Sequence, residues 1–214
     1  MIHDSLQHQG MRRKLVEEVA RKGISSEPVL QALSKVPRHL FMESGFVKFA
    51  YRDQAFPIGA GQTISQPYTV AFQSQLLQVE PKQKILEVGT GSGYQAAVLL
   101  EMGAQVFTIE RQRELYIKVQ QLLPPMGYHP RFFFGDGYKG LPTYGPFDGI
   151  IVTAGAPFIP EDLKQQLKIG ARLVIPVSTG EHQVMTVVER VDENVYDEKQ
   201  YGLFSFVPLL KGTN

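Results

Sequence analysis

The sequence predicts an α/β fold with a doubly wound, Rossmann-like sheet that is mostly parallel, ends in antiparallel strands and is preceded by N-terminal helices. Two observations predict it. From Lys84 onward, short apolar strand segments alternate with helical segments, and such units force parallel strands with right-handed crossovers. After Val177 the apolar segments follow one another too closely for intervening helices, which favours antiparallel pairing.

The chain before Lys84 is predicted to be mainly helical. A helix is expected over residues 11–22, with Gly23 as the residue that follows its end. A second helix is expected from Ser26, and a third over residues 68–79. Between the last two lies a bent segment, AFPIGAGQTISQPYTV, that contains no acid, base or histidine.

The alternating part supplies the core elements in order. Five strands are predicted at KILEV, QVFTIE, RFFFGDG, FDGIIVTA and ARLVIPV. The helices between them are GTGSGYQAAVLLEMG, RQRELYIKVQQLL and PEDLKQQLKIG. Three further β-type segments follow, QVMTVVERV, VYDEKQYG and LFSFVPLL. We expect one domain over 1–214: helices and the bent segment in 1–79, the alternating core in 80–180, and antiparallel strands in 181–214.

The composition disfavours or excludes several classes of function and binding site. A net charge of +1 gives no global field that favours nucleic acid or an anionic membrane. The absence of cysteine excludes disulfides, thiolate nucleophiles and cysteine-based metal sites. The five histidines lie far apart in sequence, and we assign none to a metal. No segment has the roughly 20 apolar residues of a membrane span, and we expect a cytoplasmic monomer.

The segment LEVGTGSGY, residues 86–94, is the strongest chemical signal. Gly89, Gly91 and Gly93 follow a strand and precede a helix, where a ligand can approach the backbone closely, and Ser92 lies among them. The spacing is G-x-G-x-G, and it differs from the G-x-G-x-x-G that places a pyrophosphate on a helix N-terminus. The turn therefore indicates a pocket for a nucleoside without a diphosphate.

Three acidic residues lie at or near the ends of the first three predicted core strands. Glu110, followed by Arg111, ends the second core strand and is expected to accept hydrogen bonds from both ribose hydroxyls. Asp136, followed by Gly137, ends the third and is expected to accept from an adenine amino group. Glu87 precedes the turn and is expected to orient it or an ammonium group.

Each acid also has a purely structural interpretation. Glu110 could be a surface acid at a strand end, Asp136 the maker of a GDG turn, and Glu87 a simple turn anchor. Three such elements at successive strand ends are much harder to explain separately. Together they resemble the seven-stranded S-adenosylmethionine-dependent methyltransferases, a likeness that covers roughly residues 80–180.

Within that superfamily the chain resembles the protein-L-isoaspartate O-methyltransferase family. The motifs that carry this resemblance lie in the family order along nearly the whole chain: VPRHLF, AFPIGAGQTISQPYTV, ILEVGTGSGYQAAVL, GDGYKG, PFDGIIVTAGAP, QLKIGARLVIPV and the terminal FVPL. Two positions depart from the family pattern, which has a glycine where this chain has Ala171 and commonly an arginine where it has Phe206.

The resemblance implies methyl transfer from S-adenosyl-L-methionine, leaving S-adenosyl-L-homocysteine, to the free α-carboxyl group of L-isoaspartyl residues in damaged proteins and peptides. The ester then closes to a succinimide that reopens partly to normal aspartyl. A carboxylate with a pKa near about 4 is already ionised at neutral pH, so no base is needed. The site must supply proximity and orientation, which are worth up to about 7–11 kcal/mol of barrier.

Ser65 matches the active-site serine of the family, and Thr63 and Ile64 are expected to line the same wall through backbone groups. A neutral hydroxyl can hold one carboxylate oxygen and leave the other free. Alternatively, Ser65 caps the helix that begins at Pro67. We expect backbone groups near Ser65 and in residues 207–208 to hold the substrate peptide in extended form.

Three other functions stay open on the sequence alone. A methyltransferase of the same fold with a different acceptor would share Glu110 and Asp136. A nicotinamide-dependent oxidoreductase is disfavoured by the G-x-G-x-G spacing. A non-catalytic nucleoside-binding module would not need Ser65.

Overall fold

The computed structural model describes residues 4–214. Its α-helices are α1 (Leu6–Arg21), α2 (Glu27–Lys35), α3 (Pro67–Leu77), α4 (Tyr94–Glu101), α5 (Arg113–Leu122) and α6 (Glu161–Gln165). Its strands are β1 (Phe56–Gly59), β2 (Gln62–Ile64), β3 (Lys84–Val88), β4 (Gln105–Glu110), β5 (Arg131–Phe134), β6 (Phe147–Val152), β7 (Leu167–Ser178), β8 (Gln183–Asp192) and β9 (Val195–Phe204).

Seven of these strands form one sheet in the order β5-β4-β3-β6-β7-β8-β9. The first five in that order pair in parallel, whereas β8 and β9 pair antiparallel with their neighbours. The predicted fold class is therefore confirmed. Because β3 lies at the centre and the chain winds outward from it in both directions, the crevice that binds ligands in such sheets lies at the carboxyl ends of β3 and its neighbours.

Apolar side chains cover both faces of the sheet. Ile85 and Leu86 are consecutive in β3 and fully buried, and they belong to two different core clusters. Because successive side chains of a strand point to opposite faces, these clusters lie on the two sides of the sheet. The N-terminal helices α1 and α2 pack in the cluster of Ile85 through residues such as Val19 and Val29.

Two predicted helices have different bounds. The first begins at Leu6, earlier than predicted, because Ser5 provides an N-cap that accepts a hydrogen bond from the N–H of His8. The predicted helix through Gly170 is too long. It ends at Gln165, and the chain from Leu167 joins β7, where pairing with β6 outweighs a helical pattern of only a few residues.

The C-terminal segments also depart from the prediction. β9 runs continuously through the predicted strand VYDEKQYG and ends at the second residue of the predicted strand LFSFVPLL, and its backbone pairs with β8 along nearly the whole length. The chain then leaves the sheet after Phe204. Residues 207–209 cross the carboxyl end of the sheet, where Val207 accepts a hydrogen bond from the N–H of Gly155 and the N–H of Leu209 donates to the carbonyl of Gly155, both at 2.8 Å.

A search of residues 4–214 finds no helix with the length and apolar character needed to cross a membrane.

Candidate active site

The glycine turn between β3 and α4 forms the floor of a cavity at the carboxyl end of the sheet. Gly89, Gly91 and Gly93 all have φ in the left-handed region, at 96°, 52° and 81°. A Cβ built on Gly89 would lie 2.5 Å from Oγ1 of Thr153, a separation that real side chains do not tolerate. The sequence of the turn therefore keeps the backbone at the cavity surface free of side-chain atoms.

Glu110 connects the glycine turn with the end of β4. Its Oε2 accepts a hydrogen bond from the N–H of Gly91 at 2.9 Å, and its Oε1 accepts one from the N–H of Gln112 at 2.8 Å. The residue is 5% exposed, and that small exposure faces the cavity that it lines. Each carboxylate oxygen has a second lone pair, so the carboxylate can still accept hydrogen bonds from a ligand.

Glu87 is fully buried and does not line the cavity. The hydroxyl of Thr108 donates to its Oε2 at 2.5 Å, and the Oγ1 atoms of Thr108 and Thr90 lie 2.6 Å apart. Burial, and to a lesser extent the nearby charge of Glu110, raise the pKa of Glu87 to about 8. The carboxyl group is therefore mostly protonated at neutral pH and reaches the turn through the two threonines.

Asp136 stands at the end of β5, at the start of a single 3₁₀ turn over Gly137–Lys139. Its Oδ1 accepts a hydrogen bond from the N–H of Tyr138, and its Oδ2 accepts one from the N–H of Gly212. Gly137 lines the cavity, whereas Asp136 lies outside the lining. The turn-making interpretation of Asp136 is thus correct, and its contact with adenine stays a prediction.

The bent segment upstream of α3 is a β-hairpin, which periodicity did not predict because the strands are too short to show one. β1 and β2 pair antiparallel, and Ala60 and Gly61 between them have φ of 49° and 66°, as in a type I′ turn. Ser65 follows β2 directly and precedes Pro67, the first residue of α3.

The alternative that Ser65 caps α3 is wrong. The N-cap residue is Gln66, and it makes no side-chain capping bond. The N–H of Tyr68 in the first turn of α3 donates instead to Oδ1 of Asp53 at 2.8 Å. The side chain of Ser65 is therefore not needed at the helix end.

Thr153 was not singled out from the sequence. It follows β6, the neighbour of β3, and its hydroxyl lies 2.6 Å from the carbonyl oxygen of Gly89, to which it donates. Its place directly after a core strand is the signal that could have found it, because polar residues at strand ends of such sheets meet at one edge. Asp53 was missed as well, and no local pattern indicates it.

The structure brings most of the predicted site residues into this one cavity, which we call the cofactor cavity. The predicted residues that line it are Thr63, Ile64, Ser65, Gly89, Gly91, Ser92, Glu110, Arg111 and Gly137. Glu87, Gly93 and Asp136 are not among its lining residues. Thr153 and the segment 207–210 complete its wall.

A second cavity of 740 Å³ opens beside it, and we call it the acceptor groove. Its lining comprises Ala55, Thr63, Ser65, Gln66, Tyr68, Thr69, Phe72, Thr153, His182, Gly202, Leu203, Phe204, Ser205, Phe206 and Val207. Four of these residues, Thr63, Ser65, Thr153 and Val207, line the cofactor cavity too. Ser65 thus stands where the two cavities meet.

A cluster of potential metal ligands lies at the N-terminal helix, and its third member, His39, is distant in sequence from the other two. Potential ligand atoms of Asp4, His8 and His39 lie within 4.8 Å of one another, and the two imidazole rings stack at 3.8 Å. The guanidinium of Arg12 binds both carboxylate oxygens of Asp4. The expectation that no histidine holds a metal stays a prediction, and His3 lies outside the described residues.

The cofactor cavity suits a nucleoside ligand. A buried acid, Glu110, lines it, and the glycine turn carries no Cβ at Gly89, where one would collide with Thr153. The fold and this site define the class of S-adenosylmethionine-dependent methyltransferases. The model of one family, "Protein-L-isoaspartate(D-aspartate) O-methyltransferase (PCMT)", matches residues 10–214. The chain belongs to that family, whose members depend on S-adenosyl-L-methionine.

Individual relatives agree over the full length. The chain is 58% identical to a protein-L-isoaspartate O-methyltransferase of Christiangramia forsetii and 58% identical to one of Flavobacterium johnsoniae, in both cases over 99% of each chain. A solved protein-L-isoaspartate O-methyltransferase structure is 26% identical and covers 92% of this chain with a TM-score of 0.83; this chain spans 65% of its length.

A structure of the same family from Plasmodium falciparum, solved in complex with S-adenosyl-L-homocysteine, has a TM-score of 0.80 at 24% identity. The structural alignment covers 94% of this chain and 98% of the Plasmodium falciparum chain. At this identity the likeness establishes the shared fold.

Proposed function

We propose that the chain is a protein-repair enzyme that methylates the free α-carboxyl group of L-isoaspartyl residues in damaged proteins and peptides, and that Ser65 holds the acceptor. One observation carries the role of Ser65: it lies at the junction of the cofactor cavity and the acceptor groove. An acceptor bound in the groove can therefore reach a donor bound in the cavity only past this hydroxyl, Thr63, Thr153 and Val207.

The chemistry asks little of the protein beyond placement. S-adenosyl-L-methionine, when bound, supplies a methyl group on a sulfonium centre, and an already ionised oxygen can take it without a base. The hydroxyl of Ser65 donates a hydrogen bond to one carboxylate oxygen of the acceptor and leaves the other oxygen free to react. An arginine in that place would bind both oxygens and reduce their nucleophilicity. Among the described lining residues of the groove there is no arginine or lysine.

In the cofactor cavity, three acidic residues contribute to binding of the donor, each in a different way. Glu110 accepts from the ribose hydroxyls while it keeps the N–H of Gly91 in place. Glu87 acts from behind the turn, because Thr108 and Thr90 join it to the backbone at the cavity floor. For Asp136 we retain the predicted contact with the adenine amino group, which uses lone pairs left over by the N–H groups of Tyr138 and Gly212.

The enzyme discriminates isoaspartyl from aspartyl linkages through its contacts with the main chain of the acceptor peptide. The two linkages differ in where that main chain leaves the carboxyl-bearing carbon. Groups for this purpose lie along residues 63–65 and at Val207. The carbonyl of Val207 already accepts from Gly155, so its contribution to peptide binding is its N–H. Extended peptides bind in this way when a strand edge offers unpaired backbone groups.

A direct assay tests the proposal. Incubation with methyl-labelled S-adenosyl-L-methionine and an isoaspartyl peptide should give a base-labile methyl ester on the peptide. The matched aspartyl peptide is the control and should accept little label. Equal labelling of the two peptides would contradict the assignment of the acceptor, and no label on either would contradict the proposed function as a whole.

Two further properties expected from the sequence belong to this proposal. The chain is expected to act in the cytoplasm and as a monomer without nucleic-acid or membrane partners. Cell fractionation and light scattering on the eluting protein test these points separately from the activity.

A further inference from the structure

The acceptor groove has an aromatic wall where it extends away from Ser65. Phe72 and Phe204 form its centre, with ring centroids 5.2 Å apart. Tyr68 and Phe206 flank Phe204 on two sides, each with its centroid 6.4 Å from that ring. These four rings are only partly buried, so the edges that line the groove are available to a ligand.

The same groove carries almost no charge. Among its described lining residues, only the imidazole of His182 and the phenol of Tyr68 are titratable. Leu203 adds an aliphatic side chain that is 64% exposed. Aromatic and aliphatic surface of this kind gains free energy when an apolar side chain covers it, whereas a carboxylate placed there would lose water without gaining a partner.

On these observations, and resting on the proposed function, we propose that the groove selects isoaspartyl peptides that carry an aromatic or bulky aliphatic side chain within two residues of the damaged linkage. An extended peptide advances about 3.3 Å per residue, so a residue within two positions of the one held at Ser65 stays within about 7 Å of it, in a groove that Ser65 and the aromatic wall both line. Peptides with an acidic side chain at that position are disfavoured. Phe206 stands in this wall, and a basic residue there would instead attract acidic neighbours.

The test uses isoaspartyl hexapeptides in which one flanking residue is varied. In one set this residue precedes the damaged residue, and in the other set it follows it. At the position that faces the wall, phenylalanine should give about ten-fold higher kcat/KM than glutamate, mainly through KM. The variants Leu203→Ser and Phe206→Ser should bring the kcat/KM ratio between the phenylalanine and glutamate peptides towards one. Their affinity for S-adenosyl-L-homocysteine should stay within about two-fold of the parent chain, because neither residue lines the cofactor cavity.

Ile169→Ser is the matched control, since Ile169 is 60% exposed and lies outside the groove. It should leave the peptide preference unchanged. Equal kcat/KM for all flanking residues, or a preference that survives in both groove variants, would overturn the inference. Either result leaves methyl transfer itself intact, whereas failure to methylate any isoaspartyl peptide would refute the proposed function instead.

A second inference comes from a different observation, the environment of Asp53. Its side chain is 2% exposed, and its carboxylate has three donors. Oδ1 accepts from the N–H of Tyr68 at 2.8 Å, and Oδ2 accepts from Nε2 of Gln66 at 3.0 Å and from Nζ of Lys22 at 2.6 Å. A charged acceptor at the first turn of α3 is also favoured by the helix dipole.

Two of these bonds hold Gln66 and Tyr68, the first and third residues after Ser65. Gln66 provides no capping bond of its own, so Asp53 replaces it from a distant part of the chain. We infer that Asp53 is a positioning residue that fixes the backbone of Ser65 at the junction of the two cavities. Asp53 itself lines neither cavity, so it acts through Gln66 and Tyr68.

Steady-state kinetics of Asp53 variants test this role. Asp53→Ala should lower kcat about ten-fold while the Kd for S-adenosyl-L-homocysteine changes less than about two-fold. Asp53→Asn should recover part of kcat, because its Oδ1 can still accept from Tyr68. Lys22→Met removes a partner of Asp53 that is remote from Ser65, and it should keep kcat within about two-fold of the parent chain.

An unchanged kcat in Asp53→Ala would overturn the assignment. So would a parallel fall of kcat, cofactor affinity and Tm, which indicates a general loss of structure. The parent chain, assayed alongside, distinguishes both outcomes from a failure of the proposed function.

Discussion

The cofactor cavity and the acceptor groove meet at Ser65, yet they are built in different ways. Most of the cofactor cavity that the groove does not share comes from the ends of β3, β4 and β5, which are neighbours in the sheet. Each contributes a residue group that directly follows or ends a strand, such as the glycine turn and Glu110. The acceptor side combines the hairpin, Thr153 after β6 and the segment after β9, which lie far apart along the chain.

The two sides also differ in charge. Glu110 and Arg111 place an acid and a base at the cofactor cavity, whereas the described lining of the acceptor groove has neither acids nor lysine or arginine. A positively charged donor and a negatively charged acceptor call for this division, because a strong cation near the acceptor would hold its reactive oxygen too firmly. Under the proposed function, the donor would be held by charged groups at strand ends, and the acceptor by shape and neutral hydrogen bonds.

The largest expected effect is on the cofactor side. Glu110→Gln removes the charge that strengthens hydrogen bonds to ribose, and affinity for S-adenosyl-L-homocysteine should fall by about ten- to a hundred-fold. Calorimetric titration measures it. An affinity within about two-fold of the parent chain would mean that the charge of Glu110 does not contribute to binding on the cofactor side.

The next effect is expected at the junction of the two cavities. Ser65→Ala should lower kcat by about ten-fold or more, since the acceptor carboxylate loses its orienting hydrogen bond. Cofactor affinity and Tm should remain nearly as in the parent chain, because the hydroxyl of Ser65 does not cap α3. Ser65→Thr serves as the control that keeps a hydroxyl. Equal activity of the alanine variant would remove Ser65 from the mechanism.

The smallest effect on activity is expected for Glu87→Gln. The pKa of Glu87 is raised by burial from 4.5 to about 8, so the carboxyl is mostly neutral at pH 7 and an amide of the same shape can replace it. Affinity for S-adenosyl-L-homocysteine at pH 7 should therefore fall less than in Glu110→Gln.

Glu87 also predicts how stability depends on pH. Between pH 4.5 and about 8 the unfolded chain has released a proton that the folded chain still holds at Glu87. The contribution of this group to stability therefore falls as pH rises through that window and levels off above it. Tm measured from pH 5 to pH 8 should decline less in Glu87→Gln than in the parent chain. Parallel pH profiles would show that Glu87 is ionised in the folded state.

The cofactor side could be predicted from the sequence to a greater extent than the acceptor side. It predicted the alternating strands and helices of the core, the glycine turn and the position of Glu110 at a strand end, because each depends on residues within one strand–turn–helix unit. It overextended the helix before β7, since a few residues such as Lys168 and Ile169 fit a helical pattern but pair with a neighbouring strand. Pairing partners lie elsewhere in the chain and leave no local signal.

Asp53 and Thr153 show the same limit within the site. Asp53 lies in a stretch with no regular element, and its importance becomes visible only when Tyr68 and Gln66 donate to it. Thr153 could have been noticed as a polar residue after a core strand, but its bond to the carbonyl of Gly89 depends on β6 lying next to β3.

By itself, the sequence determined an α/β sheet with a nucleoside-binding turn and an acid at the end of the next strand, because periodicity and turn chemistry act over a few residues. Tertiary structure alone decided that Ser65, Thr153 and Val207 share one junction and that an aromatic wall continues from it. Those contacts join segments whose separation along the chain is long, and only the packing of the complete sheet brings their side chains together.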